Sequence, residues 1–380
     1  MEKIPLLRFK IFKKKWSEYK LSQKCNIYSG RDYKHLKNGN IPVYGSGGYM
    51  LSVSESLSDK DAIGIGRKGS INNPFLLRAP FWTVDTLFYV INNEQTDLLF
   101  LYQIFQKVRW KKYDESTGVP SLSKKTIESV RVVTPSLPEQ SAIGSLFRTL
   151  DDLLASYKDS LANYQSLKTT MLSKMFPKVG QTIPEIRLES FEGEWEKYYL
   201  GDIFEQVSNY IEPSVENELW SLTVEKGLTP KTDRYKRDFL VKKNDKFKKV
   251  DINEFVYNPM NLTLGALDLN NKGRTISVSG YYIVIKNTDV EKFDNDFLKI
   301  LLKTRYAIYQ YKQFATGTLI EKQRVQFPTF SEIPFYLPTI DEQQVIGAYF
   351  SNLDLLITSY KETISQLETL KKKLLQDMFI

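Results

Sequence analysis

Apolar residues return at alternating steps of four and three over one long stretch, and the chain carries that stretch twice. In the first copy Ile143, Phe147, Leu150, Leu154, Tyr157 and Leu161 form a stripe that continues through Tyr164, Met171 and Met175. In the second, Ile346, Phe350, Leu353, Ile357, Tyr360 and Ile364 continue through Leu367, Leu374 and Met378. A period of 3.5 residues is that of a coiled-coil seam. The copies align without a gap, Pro138–Phe176 onto Asp341–Phe379, each opening on Glu-Gln-x-x-Ile-Gly-x-x-Phe and closing on Met-Phe. Neither has an internal proline, and Pro138 suits a first helical position. Each copy predicts one helix of roughly 35 residues, about 50 Å long. Two matched rods in one chain most simply pack against each other. Lys168 and Lys371 interrupt the stripe at the same place in both copies. A polar residue there can fix register or mark where the pair opens to accept partner helices.

A second repeat precedes the first. Pro5, Arg8, Phe12, Trp16, Tyr19 and Leu21 return as Pro184, Arg187, Phe191, Trp195, Tyr198 and Leu200. Lead-in, globular segment and long helix therefore occur twice, and pairing of each lead-in with the helix of the opposite half is a natural arrangement. Between lead-in and helix the pattern changes to short alternating runs punctuated by glycine. Strands are expected at Ala62 to Ile65, Trp82 to Ile91, Trp220 to Val224, Phe255 to Asn258, Thr275 to Ser279 and Tyr281 to Ile285. Leu98 to Val108 and Phe293 to Tyr311 read as helical. The expected fold is α+β: two β-rich domains separated by two long antiparallel helices, with an internal pseudo-two-fold repeat. The boundaries fall at 1–137, 138–177, 178–340 and 341–380.

Composition narrows the chemistry. The chain has 380 residues, 42% hydrophobic and 26% charged, as in soluble globular proteins. Cys25 is the single cysteine and His35 the single histidine, which removes an internal disulfide and argues against a Cys/His metal site and against Cys/His catalysis. No stretch approaches the roughly 18 apolar residues of a membrane span, so a cytoplasmic protein is expected. The net charge of +8 favours a polyanionic partner. From Lys231 to Lys249 there are nine Lys/Arg against three Asp.

Two motifs invite catalytic readings that their surroundings do not support. Gly64-Ile65-Gly66-Arg67-Lys68-Gly69 matches a dinucleotide fingerprint but lacks a helix after its last glycine. A basic turn whose glycines admit a phosphate fits it better. Asn258-Pro259-Met260 resembles the Asn-Pro-Pro-aromatic motif of adenine-N6 methyltransferases, yet the aromatic is missing. With no P-loop, metal cluster or acid/base carboxylate pair, the chain reads as a binder rather than an enzyme.

The ordered set of lead-in with its tryptophan, globular domain and Glu-Gln-x-x-Ile-Gly-x-x-Phe helix ending in Met-Phe, all repeated, resembles the specificity (S) subunit of type I restriction–modification systems. Gly64 to Ser70 with Trp82-Thr83-Val84-Asp85-Thr86 is similar to one group of target-recognition domains in that family. Tyr257-Asn258-Pro259-Met260 with Ser277-Val278-Ser279-Gly280-Tyr281-Tyr282 is similar to another. The resemblance implies a non-catalytic subunit whose two domains each read half of an asymmetric bipartite DNA target. The helices would set the gap and dock two methyltransferase (M) subunits, and through them restriction (R) subunits. No cofactor is implied in this chain: AdoMet belongs to the methyltransferase partner, ATP and Mg to the restriction partner. Tyr44, Ser46, Arg67, Lys68 and Ser70 are the DNA-contact candidates in the first domain. Lys231, Arg234, Lys236, Arg237, Lys242 and Lys243 are those in the second. Trp82, Asp85 and Tyr281 are expected in the core. The competing reading is a coiled-coil adaptor whose domains bind proteins.

Overall fold

The structure, a computed structural model, describes residues 4–188, 191–214, 216–231, 247–317 and 323–380. Packing divides the chain into two units, Met1–Ser160 with Tyr360–Ile380, and Leu161–Ser359. The two long helices, Leu137–Lys174 and Ile340–Asp377, have 38 residues each, or about 57 Å at 1.5 Å per residue. Each begins in one unit and ends in the other.

In the first unit the strands are β1 (Ser17–Lys20), β2 (Cys25–Ser29), β3 (Asn38–Gly45), β4 (Gly48–Val53), β5 (Ala62–Gly66), β6 (Phe75–Leu77), β7 (Trp82–Thr83), β8 (Leu87–Asn92) and β9 (Arg131–Thr134). They form sheets ordered β2-β8-β5-β6, β4-β3-β7 and β1-β9. The strand expected over Trp82 to Ile91 is two strands. Between them the Leu87 N–H donates to the Val84 carbonyl at 2.9 Å, closing a turn around the exposed Asp85. Ala62, Ile63, Ile65, Phe100, Leu101 and Phe105 fill the core.

In the second unit they are β10 (Glu196–Tyr199), β11 (Phe204–Val207), β12 (Leu219–Thr223), β13 (Gly227–Pro230), β14 (Phe247–Val250), β15 (Phe255–Tyr257), β16 (Leu267–Leu269), β17 (Ile276–Ser279), β18 (Ile283–Asn287) and β19 (Pro334–Leu337). Their sheets run β11-β18-β15-β16, β13-β12-β17-β14 and β10-β19, repeating the plan of the first unit with one more strand among the described residues. Two expectations need correction. The strand expected from Tyr281 starts at Ile283. The helical stretch Phe293 to Tyr311 is two helices, Asn295–Leu301 and Arg305–Phe314. Thr304 breaks it, its hydroxyl accepting from the Ala307 N–H at 3.1 Å as an N-cap.

The repeated motif is explained by what its residues grip. In the first unit Glu139, 1% exposed, receives Arg8 through both carboxylate oxygens at 2.6 and 2.7 Å. Gln140 Oε1 accepts from the Asp97 N–H at 3.1 Å, and its Nε2 donates to the Pro135 carbonyl at 2.9 Å. Gly144 lies where a methyl group would come within 2.6 Å of Asp97 Oδ1 and 2.9 Å of the Phe100 N, so the long helix presses on the capped start of helix Leu98–Lys107. The second unit repeats each contact. Arg187 meets Glu342 at 2.7 and 2.6 Å. Gln343 accepts from Asp294 at 3.0 Å, and Gly347 presses on Asp294 and Phe297. The hydrogen bond to Glu139 holds the Arg8 guanidinium above its ordinary pKa, and Glu342 does the same for Arg187.

Each lead-in also touches the end of the other half's helix. The Leu7 N–H donates to the Asp377 carbonyl at 2.8 Å and the Ile186 N–H to the Lys174 carbonyl at 2.9 Å. The Met-Phe ends are core residues. Phe379 packs against Trp16, Phe100 and Phe147 in the first unit, and Phe176 against Trp195, Phe297 and Phe350 in the second. Lead-ins therefore bind helices of both halves.

Ile143, Phe147, Leu150, Leu154, Ile346, Phe350, Leu353, Ile357 and Ile364 are buried. Tyr157, Leu161 and Tyr360 are half-buried. Ile143 and Phe147 join the first unit's globular core, and Ile346 and Phe350 the second's. At these ends the stripe faces a domain as well as a helix. In the first unit the helix segments run antiparallel, Lys371 pairing with Asp151 and Lys158 with Glu368. In the second Lys168 pairs with Asp354. The two lysines that interrupt the stripe thus each reach an aspartate of the facing helix, in repeat-related pairs.

Candidate nucleic-acid interface

Strand register brings three turns of the first unit to one end. β3 runs parallel to β7, with Tyr44 beside Thr83. The tip of the β3–β4 hairpin, Ser46-Gly47, and the turn Val84–Thr86 therefore emerge together. β5 runs antiparallel to β8 with Gly66 beside Leu87, so Arg67–Ser70 emerges there too, its Arg67 N–H donating to the Thr86 carbonyl at 2.8 Å. A methyl group on Gly69 (φ +85°) would lie 3.3 Å from Ser46 Oγ: basic turn and hairpin tip are side by side.

The basic turn is tied down from behind. Leu122 N–H donates to the Arg67 carbonyl at 2.9 Å, and Gly69 N–H to the Pro120 carbonyl at 2.8 Å. The loop that supplies these partners, containing Thr117-Gly118, is held by Asp114. Its carboxylate accepts from the Ser121 and Ser116 N–H groups at 2.9 and 3.0 Å. Those backbone bonds keep the Asp114 carboxyl below its ordinary pKa. With its backbone anchored, the turn leaves the Arg67 and Lys68 side chains exposed. They line a recess of about 340 Å³ with Ser29, Phe88, Glu115 and Lys124. A neighbouring recess of about 670 Å³ is lined by the hairpin tip, Asp32, Lys34 and Asp85.

The second unit places three turns in the same way. β12 runs parallel to β17 with Trp220 beside Val278, and β15 antiparallel to β18 with Tyr257 beside Ile283. The hairpin tip Val224–Lys226, the turn Asn258–Met260 and the turn Gly280–Tyr282 correspond by topology to the three turns of the first unit. Asn258 Oδ1 accepts from the Met260 N–H at 3.0 Å, and the Pro259 carbonyl from the Val325 N–H at 3.0 Å. Asn-Pro-Met here shapes a turn.

The residues expected to contact DNA fare unequally. Tyr44 is half-buried, its ring 6.0 Å from that of Phe75. Ser46, Arg67, Lys68 and Ser70 are brought together at the edge just described. In the second unit Arg234, Lys236, Arg237, Lys242 and Lys243 lie outside the described residues. Lys231 is half-buried. The basic run ends inside the fold: Lys248, 6% exposed, donates to the Tyr282 carbonyl at 2.7 Å, and burial lowers its pKa. Lys249 pairs with Asp251 at 2.8 Å.

Of the three residues expected in the core, Trp82 is there, 6% exposed, its indole donating to the Arg31 carbonyl at 2.9 Å. Asp85 and Tyr281 are on the surface, Tyr281 at 85% exposure. Sequence reasoning also passes over Tyr49 and Met50, which are 63% and 49% exposed; Met260, in the Asn-Pro-Met turn, is 49% exposed. The Gly47-Gly48 pair just before Tyr49 is the available signal, since a hairpin tip projects the side chains beside it. Among the described residues no group of His, Cys, Asp and Glu could hold a metal ion, and no helix is long and apolar enough to cross a membrane.

Two stretches, 13–163 and 192–369, match the family described as type I restriction modification DNA specificity domain. The specificity subunit of type I restriction enzyme MjaVIII from Methanocaldococcus jannaschii is 23% identical over 301 residues, covering 75% of this chain and 69% of that protein. The crystal structure of a type I restriction–modification S subunit from M. genitalium shares the fold, with a TM-score of 0.70 and 16% identity over 99% of each chain.

Proposed function

This chain belongs to the family of type I restriction–modification DNA specificity domains, and from that premise we propose that its two units each read one half of an asymmetric bipartite DNA target. The observation that carries this reading is the edge of three turns built twice by the same strand topology and furnished with different residues. Like scaffolds give like docking geometry; unlike turns, Arg67-Lys68 in one and Asn258-Pro259-Met260 in the other, give unlike sequences. The long helices act as spacer. A helix of about 57 Å spans roughly 17 base pairs at 3.4 Å each. Their outer faces dock two methyltransferase subunits and, through them, restriction subunits.

The chain itself carries no chemistry in this scheme. AdoMet is bound by the methyltransferase partner, ATP and Mg by the restriction partner. Ser46, Arg67, Lys68 and Ser70 contact phosphate in the first half-site, with Tyr44 supporting the hairpin. Lys231, Arg234, Lys236, Arg237, Lys242 and Lys243 are the phosphate contacts assigned to the second. Mapping of modified adenine in DNA of cells with and without this gene tests the whole reading. Two unrelated half-sites at a constant gap are expected. Unchanged modification after deletion of the gene would sink it, and binding of protein but not duplex by the chain with its methyltransferase partner would favour the adaptor instead.

A further inference from the structure

We infer that Asp85 in the first unit and Tyr281 in the second are specificity-determining residues that read base edges, at topologically equivalent turns. The inference rests on the reading above and assigns it to particular side chains. Both residues sit on the turn that follows the parallel strand, after β7 in one unit and after β17 in the other. Both side chains face water, and among the described residues neither makes a hydrogen bond or an ion pair.

Tyr281 leaves 85% of its surface in water, and its partner in the turn, Tyr282, supplies the carbonyl that Lys248 holds. The turn is thus anchored by one tyrosine and presents the other. Beside it the Asn258–Met260 turn carries Met260, 49% exposed. An aromatic ring and a thioether on adjacent turns make a small apolar surface that suits a thymine methyl group or a base face.

Asp85 lines the recess of about 670 Å³ together with Lys34 and the hairpin tip, where Tyr49 is 63% exposed. A carboxylate at an edge that also bears Arg67 and Lys68 weakens attraction to phosphate. It is placed to accept hydrogen bonds from a base, and the exocyclic amino groups of cytosine and adenine are the donors that major-groove edges offer. Positioning by Arg67 and Lys68 and reading by Asp85 are then separate tasks of one edge.

The test uses the full chain assembled with its methyltransferase partner and a pool of random-sequence duplexes, with the bound fraction sequenced. Asp85→Asn, which keeps shape and turns an acceptor into a mixed donor and acceptor, is expected to lower preference for an amino-bearing base by about tenfold at one or two positions of one half-site. Tyr281→Ala is expected to change only the other half-site. The gap stays constant in both. Arg67→Ala provides the contrast: weaker binding to every sequence, with a shallower salt dependence. If both variants enrich the same motif as the unsubstituted chain, the inference is wrong while the proposed function stands. It is equally wrong if one variant alters both half-sites. If the unsubstituted complex enriches no bipartite motif, both fall.

Discussion

Where the lead-in meets the long helix, the two halves match contact for contact; where the turns leave the sheets, they share topology but not residues. Arg8, Glu139, Gln140 and Gly144 repeat as Arg187, Glu342, Gln343 and Gly347, gripping equivalent groups at nearly equal distances. One atom differs. The Trp16 indole N–H donates to Glu139 at 3.2 Å, whereas that of Trp195 is buried without a partner among the described residues. The constraints on the two regions are therefore of different kinds. A buried ion pair and a methyl-free helix crossing tolerate little, because any change leaves a charge unpaired or a clash. A solvated turn can exchange Arg-Lys for Asn-Pro as long as its backbone bonds persist.

Glu139→Ala and Glu342→Ala should each destabilise by about 3 kcal/mol, since Arg8 and Arg187 are left part-buried without their partner. Urea unfolding of each variant measures it, and a loss below about 1 kcal/mol in either would show that the likeness is one of geometry and not of energy. Gly144→Ala and Gly347→Ala should cost about 2 kcal/mol each by overpacking, read in the same way.

A third contrast concerns Cys25, whose repeat-related residue is Phe204. Burial, with a smaller contribution from Glu128, pushes the Cys25 thiol up to about 12. The folded chain keeps a proton that the unfolded chain releases near pH 8.5. Stability from this group is therefore complete below about pH 8.5 and lost as pH rises towards 12, by about 2 kcal/mol at pH 10. Unfolding free energies of the unsubstituted chain and Cys25→Ala should converge over that range, and Phe204 has nothing to titrate. Trp16→Phe should cost about 1 kcal/mol more than Trp195→Phe, since only the first loses a hydrogen bond. Smallest are Lys168→Ala and Lys371→Ala, at under about 1 kcal/mol and vanishing in molar salt, because both pairs are partly exposed. A larger loss in thermal melts would make the pairs more than surface contacts.

What can be read from the sequence follows the same division. The stripe of Ile143, Phe147 and Leu150 and its copy are legible because helix periodicity is a local property that burial enforces at every turn. The lead-in tryptophans are visible as a repeat, but their partners are not: nothing local connects Trp16 to Phe379. Glu139 and Gln140 stand out as a motif without a meaning, since their meaning is Arg8 and the Asp97 N–H, far away in the chain. The turns are the least legible. Asp85 and Tyr281 look internal because their neighbours Trp82 and Ile283 are inside, yet the fold needs a turn at each position and turns face water. At the far end of the basic run that starts at Lys231, Lys248 is folded inward, which the charge pattern alone does not reveal.

The division of each long helix between units bears on the order in which the chain can be completed during synthesis. The second unit is one continuous run of residues, and its core lacks nothing once Phe350 and Ile357 have emerged. The first unit, although made first, holds the Leu7 N–H for the Asp377 carbonyl and a space beside Trp16 and Phe100 for Phe379. Domains generally fold in the order they leave the ribosome. Here the later half can close while the earlier half waits, with its core open, for the last residues of the second helix.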